Sequence, residues 1–157
     1  METWLKVAIV SIPPLDADGY LPEGIHNCTL EELQQRFGED TDAAGRSLLF
    51  SKLLDYVHEL RSTGRDFGLL IDGSFVTGKA QPNDIDLVLI LPHDHDFLME
   101  LLPFEYNAMS RRRVSKRYAF DLLVAREGSL ELGEYIEFFQ QVRGDPSRRK
   151  GILRVRS

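Results

Sequence analysis

Two hydrophobic periods alternate along this 157-residue chain. Between Arg46 and Arg61 the apolar positions Leu49, Leu53, Tyr56, Val57 and Leu60 recur every three or four residues, the spacing of an amphipathic helix packed on a sheet, and Gly64 closes it. The segment from Phe67 to Asp72 and the run Ile85, Leu87, Val88, Leu89, Ile90 and Leu91 are instead continuously apolar. They are bounded by Gly73-Ser74, Pro82-Asn83 and Pro92, and read as buried strands. Leu5 to Ile12 reads as an edge strand stopped by Pro13-Pro14, and residues 13 to 28 as loop. Thr29 and Glu32 have the spacing of a capping box, which predicts a short helix ending near Phe37-Gly38. Further on, the pattern predicts helices over Asp94 to Leu102 and Glu105 to Lys116 and a strand from Tyr118 to Val124. A helix over Leu130 to Val142 follows from the spacing of Leu132, Tyr135, Ile136 and Phe139, and Gly151 to Val155 is expected as a last strand. With no internal repeat and no low-complexity linker, residues 1–157 are expected to form a single domain of the α/β or α+β class, a mixed β-sheet with helices packed on it.

Charge and cysteine usage narrow the class of protein. The formal net charge of −6 argues against a general nucleic-acid binder, whose affinity comes mainly from basic surface. Cys28 is the single cysteine, which excludes a disulfide within the chain and suits a reducing compartment. No apolar stretch reaches the length of a membrane span, and the N-terminal residues lack the charged-then-apolar pattern of a secretory signal. A soluble cytoplasmic protein with no membrane partner is expected.

The candidate chemistry lies between residues 73 and 86. Asp84 and Asp86 open the apolar strand run, and side chains two apart on a strand share a face, with Cα atoms roughly 6.5 to 7 Å apart. Two carboxylates held that close at the mouth of an apolar strand repel each other and resist burial. A divalent cation removes the conflict. Oxygen-only ligands favour Mg²⁺ or Mn²⁺, and Mg²⁺ takes one or two carboxylates while leaving its other positions to water and phosphate oxygens. Upstream, Gly73 lets the backbone approach a ligand and Ser74 adds a hydroxyl to the turn amides, a combination suited to holding a phosphate.

These residues resemble the DNA polymerase β-like nucleotidyltransferase superfamily, whose signature is a Gly-Ser or Gly-Gly turn followed, after a short spacer, by Asp-x-Asp on the next strand. Gly73, Ser74, Asp84 and Asp86 match it as they stand. The segments Leu21 to His26 and Arg149 to Leu153 also look like those of small, stand-alone, functionally uncharacterised members. The resemblance implies a minimal nucleotidyltransferase core, a third carboxylate for which Asp121 is the best candidate, and two metal ions held by Asp84, Asp86 and Asp121. It further implies a triphosphate gripped by the Gly73-Ser74 turn. Asp72 stands where the superfamily usually has an apolar residue, and is either a further acid near the metals or the cap of the turn. The arginine common shortly after the Gly-Ser pair is absent; Lys79 either replaces it as a point charge on phosphate or is a solvated loop charge.

The leading expectation is therefore an Mg²⁺-dependent enzyme transferring a nucleoside monophosphate from a nucleoside triphosphate to a hydroxyl of a protein, an RNA or a small molecule. Asp121 would complete the metal site or act as the base. The alternative is a non-catalytic binding protein on the same fold, such as an antitoxin acting by contact with a partner toxin, because small stand-alone relatives occur in toxin–antitoxin pairs. Arg111, Arg112, Arg113, Lys116 and Arg117, and Arg148, Arg149, Lys150, Arg154 and Arg156, form two basic clusters. These are either solvated faces and helix ends or a phosphate or RNA contact. His93 and His95, flanked by Asp94 and Asp96, are expected to sit at a helix start rather than to bind metal.

Overall fold

The continuous apolar runs are continuous because they are buried on both faces of one mixed sheet. The structure, a computed structural model, describes residues 12–40 and 45–156. Its strands are β1 (Gly24–Cys28), β2 (Gly68–Asp72), β3 (Asp86–Leu91), β4 (Asp121–Arg126), β5 (Gln141–Val142), β6 (Asp145–Arg149) and β7 (Gly151–Arg156). Five of them form a sheet in the order β1-β7-β2-β3-β4, and β5 and β6 form a separate hairpin. β2 is antiparallel to both β3 and β7, whereas β3 with β4 and β1 with β7 are parallel. The described helices are α1 (Leu30–Phe37), α2 (Arg46–Ser62), α3 (Pro103–Met109), α4 (Arg111–Tyr118) and α5 (Leu130–Phe139). This is the expected mixed sheet with helices packed on it.

Alternation along the strands divides the core. Leu69, Ile71, Leu87 and Leu89 point to one side and join Leu33, Phe37, Leu53, Tyr56, Val57 and Leu60 of α1 and α2 in the larger cluster. Leu70, Val88, Ile90 and Ile152 point to the other, where Leu132 and Phe139 of α5 cover them. The capping box of α1 forms with both arms: the Glu32 amide donates to the Thr29 hydroxyl at 3.1 Å, and the Thr29 amide donates to the Glu32 carboxylate at 3.1 Å. α2 runs as its spacing predicts and buries Leu53, Tyr56, Val57 and Leu60, with Phe50 buried where Leu49 is only partly so.

Several boundaries differ from the pattern. Part of the expected loop over residues 13 to 28 is β1, a half-exposed edge strand containing His26 and Asn27, whose pairing with β7 no local signal announces. The expected helix over Asp94 to Leu102 is a series of turns: the Asp96 carboxylate accepts the Leu98 amide at 2.9 Å, a local bond that competes with helix formation. Phe97, Leu98 and Met99 are left exposed there. The expected helix from Glu105 to Lys116 is broken at Ser110, which ends α3 in an extended conformation and caps α4 by accepting the Arg113 amide. Tyr118 belongs to α4 and not to a strand. Ala119 closes that helix at φ 61°, so β4 begins only at Asp121. α5 stops at Phe139, and the expected helical tail becomes the β5–β6 hairpin through the connection Arg143-Gly144, with Gly144 at φ 83°. The strand expected over Leu5 to Ile12 lies, apart from Ile12, outside the described residues. No helix among the described residues is long and apolar enough to cross a membrane.

Candidate functional site

Strand register brings the acids together. Asp72 at the end of β2 lies opposite Asp86 at the start of β3, and Asp86 lies beside Asp121 at the start of β4. Partners in register on adjacent strands are about 4.8 Å apart and point to the same face, here the one that carries α5. Asp84 does not share this strand face as the sequence spacing suggests, because the ladder begins at Asp86. Its carboxylate reaches the site from the preceding loop instead, drawn in by the Gly-Ser turn.

That turn is built on Gly73, with φ 92° and ψ 179°, a conformation that is essentially glycine's alone. A Cβ at Gly73 would meet the Asp84 carbonyl oxygen at 2.9 Å and the Asp86 nitrogen at 3.1 Å, so the absent side chain lets the turn lie against the entry to β3. Ser74 then opens a single 3₁₀ turn, Ser74–Val76. The Ser74 amide donates to Asp84 Oδ1 at 3.0 Å, and the Ser74 hydroxyl donates to the same oxygen in a short bond. The Asn83 and Asp84 amides in turn donate to Ser74 Oγ at 3.1 and 3.3 Å. The turn is thus an anion cradle, but the anion it holds here is the Asp84 carboxylate. Its oxygen occupies the place that the sequence assigned to a phosphate oxygen.

Asp86 is half-buried, and its carboxyl is pushed up to about 6 by burial first, and then by the negative charges of Asp84, Asp72 and Asp121. No described residue donates a hydrogen bond to it. Asp72 is 6 % exposed, and burial raises its carboxyl against the pull of Lys150 and the Gly73 amide. Lys150 Nζ forms a close ion pair with Asp72 Oδ1, with both side chains largely out of solvent. Asp72 is therefore a further acid beside Asp86 that carries its own cation. Lys150 is held at the root of β7 by its amide on the Gln140 carbonyl at 2.8 Å and by Gly151, whose amide donates to the Leu21 carbonyl at 2.8 Å. A Cβ at Gly151 would fall 2.0 Å from the Pro22 carbonyl oxygen.

Gly73, Ser74, Lys79, Asp84 and Asp86 line one cleft of about 1140 Å³, together with Asp72, Tyr20, Phe138, Arg143 and Lys150. Asp121 stands outside the lining, exposed on β4 beside Asp86. Lys79 is exposed, and its backbone is fixed by Arg46. That guanidinium donates to the carbonyls of Phe37, Phe75, Thr77 and Lys79 at 3.2, 2.7, 2.8 and 2.6 Å. The sequence offered Arg46 only as the first residue of a helix. Replacing it with Met should leave three partly buried carbonyls and one exposed one short of a donor and lower stability by about 2 kcal/mol. Hydrogen exchange at the amides of residues 75 to 79 should quicken by more than that at the β2 amides; equal acceleration would show a global effect and no special hold on the loop.

Among the described residues, no group of three or more His, Cys, Asp or Glu side chains is placed to hold a metal ion. An Mg²⁺ ion does not require one, since it binds through one or two carboxylates plus water and phosphate oxygens. Asp86, without a hydrogen-bond donor among the described residues and repelled by three carboxylates against the single pull of Lys150, and Asp84 beside it fit that demand. His93 and His95 neither cap a helix nor gather a metal set: His95 is buried, its ring edge-on to Phe97 at 4.9 Å, and burial lowers its pKa. Most of the basic clusters act as cross-links. Arg117 pairs with Glu59, Arg148 with Asp16 and Asp18, Arg149 with Glu23 and Glu137, and Arg154 with Glu127, while Arg111 donates to the Leu122 carbonyl at 2.7 Å.

These features define an α+β protein with an acid-lined cleft at the adjoining ends of β2 and β3. Comparison with known families places it more narrowly: residues 13–156 match DUF6932, a family of unknown function, and the chain belongs to that family. No curated protein and no solved structure matches it.

Proposed function

We propose that the protein is an Mg²⁺- or Mn²⁺-dependent nucleotidyltransferase of the DNA polymerase β-like kind, acting in the cytoplasm on a nucleoside triphosphate and a hydroxyl acceptor. The observation that carries this reading is Asp86, which is pushed up to about 6 and has no hydrogen-bond donor among the described residues. It sits in register with Asp72 and Asp121 and faces a cleft that also contains the Gly73-Ser74 turn. Structural carboxylates at strand ends are normally paired or solvated, and a cluster left in mutual repulsion is the mark of a group kept for a ligand.

Asp84 and Asp86 would hold the metal, which when bound supplies charge neutralisation for the phosphates and polarises the attacking hydroxyl. The protein's own groups would do the rest. Gly73 and Ser74 would orient the Asp84 carboxylate toward the metal. Lys79, carried on the loop fixed by Arg46, adds positive charge toward the phosphates. Lys150 neutralises Asp72 and so limits the negative charge that a triphosphate would meet. Asp121, one strand over from Asp86 and exposed beside the cleft, would take the proton of the acceptor hydroxyl. As the acceptor oxygen bonds to the α-phosphorus, the bond from that phosphorus to the αβ-bridging oxygen breaks and pyrophosphate leaves. The rate would come from positioning and charge neutralisation.

The test is a thermal-shift series with each of the four ribonucleoside triphosphates, with and without Mg²⁺. A ligand at a hundredfold excess over its Kd stabilises the folded state by about 2.7 kcal/mol. At least one triphosphate is expected to raise the melting temperature only when the metal is present. Absence of a metal-dependent shift with all four would remove the reading.

A further inference from the structure

We infer that the end of α5 and the tip of the β5–β6 hairpin form a nucleoside subsite of the cleft, in which an aromatic base lies on the Phe138 ring and Arg143 meets the phosphate-bearing side of the same nucleotide. This deepens the nucleotidyltransferase reading and rests on it.

Phe138 lines the cleft and is 65 % exposed, although its neighbour Phe139 is 4 % exposed. Successive helix positions point about 100° apart, so the burial of Phe139 against the α5 side of the sheet fixes Phe138 outward, at the rim of the acid-lined space. The other partly exposed aromatic of the lining, Tyr20, already has the Arg148 guanidinium over its ring at 5.1 Å. Among the described residues, Phe138 is therefore the lining aromatic with a face to offer. The Phe138 ring touches the Phe139 ring only at a tilt, with centroids 6.1 Å apart, which leaves a flat π-face that accepts any nucleobase by stacking.

Arg143 supplies the complementary charge. It projects from the two-residue connection of the hairpin, lines the cleft and has no acidic partner among the described residues. Arg148 and Arg149, a few residues on, are each paired with two carboxylates. In a chain of net charge −6, a guanidinium left unpaired beside a cleft is available for an anion. The hairpin that carries it is anchored at its base: Gln140 Oε1 accepts the Gly24 amide at 2.8 Å, and the Arg149 ion pairs tie β6 to Glu23 and to Glu137 of α5. Phe138 and Arg143 are thus presented from a braced support. The cleft volume of about 1140 Å³ exceeds what a triphosphate and its metal fill and reaches the upper end of small-molecule pockets, leaving room for a whole nucleotide.

The experiment compares binding of the four ribonucleoside triphosphates with that of inorganic tripolyphosphate, each with Mg²⁺, by titration calorimetry on the wild type and on Phe138→Ala, Phe138→Trp, Arg143→Ala and Asp86→Asn. The wild type is expected to bind at least one nucleoside triphosphate tenfold or more tighter than tripolyphosphate, the usual worth of one stacked base. Phe138→Ala should erase that preference without changing tripolyphosphate binding, and Phe138→Trp should keep it. Arg143→Ala should weaken the nucleotide by about tenfold, and Asp86→Asn should weaken both ligands. Equal affinity of the wild type for nucleotide and tripolyphosphate, or a preference that survives Phe138→Ala, would overturn the subsite while leaving the acidic phosphate site in place. Binding of neither ligand would overturn both.

Discussion

Asp86→Asn should melt above the wild type in chelator at about pH 8 and, in the same preparation, lose the Mg²⁺-dependent stabilisation by nucleoside triphosphate. The Asp86 carboxyl is pushed up from 3.8 to about 6. A carboxyl that holds its proton more tightly folded than unfolded makes folding less favourable once it ionises. Stability is therefore lost as pH rises between 3.8 and about 6, and the full cost is present above that interval. Because the group is half-exposed, solvent screening reduces that cost to about 1–2 kcal/mol. Asparagine keeps the shape and removes the charge, so the variant's advantage should be complete at about pH 8, shrink as pH falls through the interval, and vanish only well below 3.8, where the wild-type group is protonated in both states. With the proposed metal ligand removed, the same variant should forfeit the roughly 2.7 kcal/mol that a hundredfold excess of triphosphate over Kd is expected to give the wild type. Gain of stability with loss of binding is what distinguishes a group kept for function from one kept for the fold. A variant less stable than the wild type in chelator at about pH 8, or one that still responds to metal and triphosphate, would assign Asp86 a structural role.

Gly73→Ala should cost about 3 kcal/mol, read as a lower urea midpoint at unchanged slope. Two penalties coincide there. At φ 92° and ψ 179° an L side chain is strained by about 1–3 kcal/mol. The new Cβ would also sit 2.9 Å from the Asp84 carbonyl oxygen, a backbone atom at the entry to β3 that cannot rotate away. Relief would have to come from the turn moving off the strand, which would pull the Ser74 amide and hydroxyl away from Asp84. Gly133 in α5 is the internal control, since a Cβ there meets nothing within 4 Å. Gly133→Ala should stabilise by about 0.5–1 kcal/mol through helix propensity alone. Equal tolerance of the two substitutions would mean that Gly73 is not what seats the turn.

What the sequence made legible was local. α2 follows from helical spacing over four turns, α1 from a capping box whose two arms need only residues three apart, and β2 and β3 from apolar runs between turn residues. The cluster around Asp86 was legible for the same reason, as an acid inside an apolar run is conspicuous without any knowledge of its neighbours. What escaped depends on partners far away in the chain. β1 is a strand only because β7 lies beside it, and Lys150 enters the site only because β7 inserts next to β2, putting position 150 over Asp72. Arg46 looks like any helix-opening residue until the loop after the Gly-Ser turn folds back onto it. Asp121 was found but set too deep in its strand, because Tyr118 and Phe120 read as strand residues; their rings stack on each other, and both pack on Tyr56, while Ala119 turns the chain.

The position of β7 also sets the order in which the molecule can be finished. It lies between β1 and β2 yet follows both in the chain, so no sheet containing β1 and β2 can close until residues 151 to 156 have threaded between them. Pairings at such sequence separation are slow to form. Before that step, β1 has no partner among the described strands and Asp72 lacks Lys150 to offset it. A nascent or truncated chain would therefore hold its acids without their counter-ion and its α5 without part of the surface it covers. Competence of the cleft therefore depends on β7 being in place, because the insertion that joins β1 to the sheet also brings in the charge that makes the site tolerable.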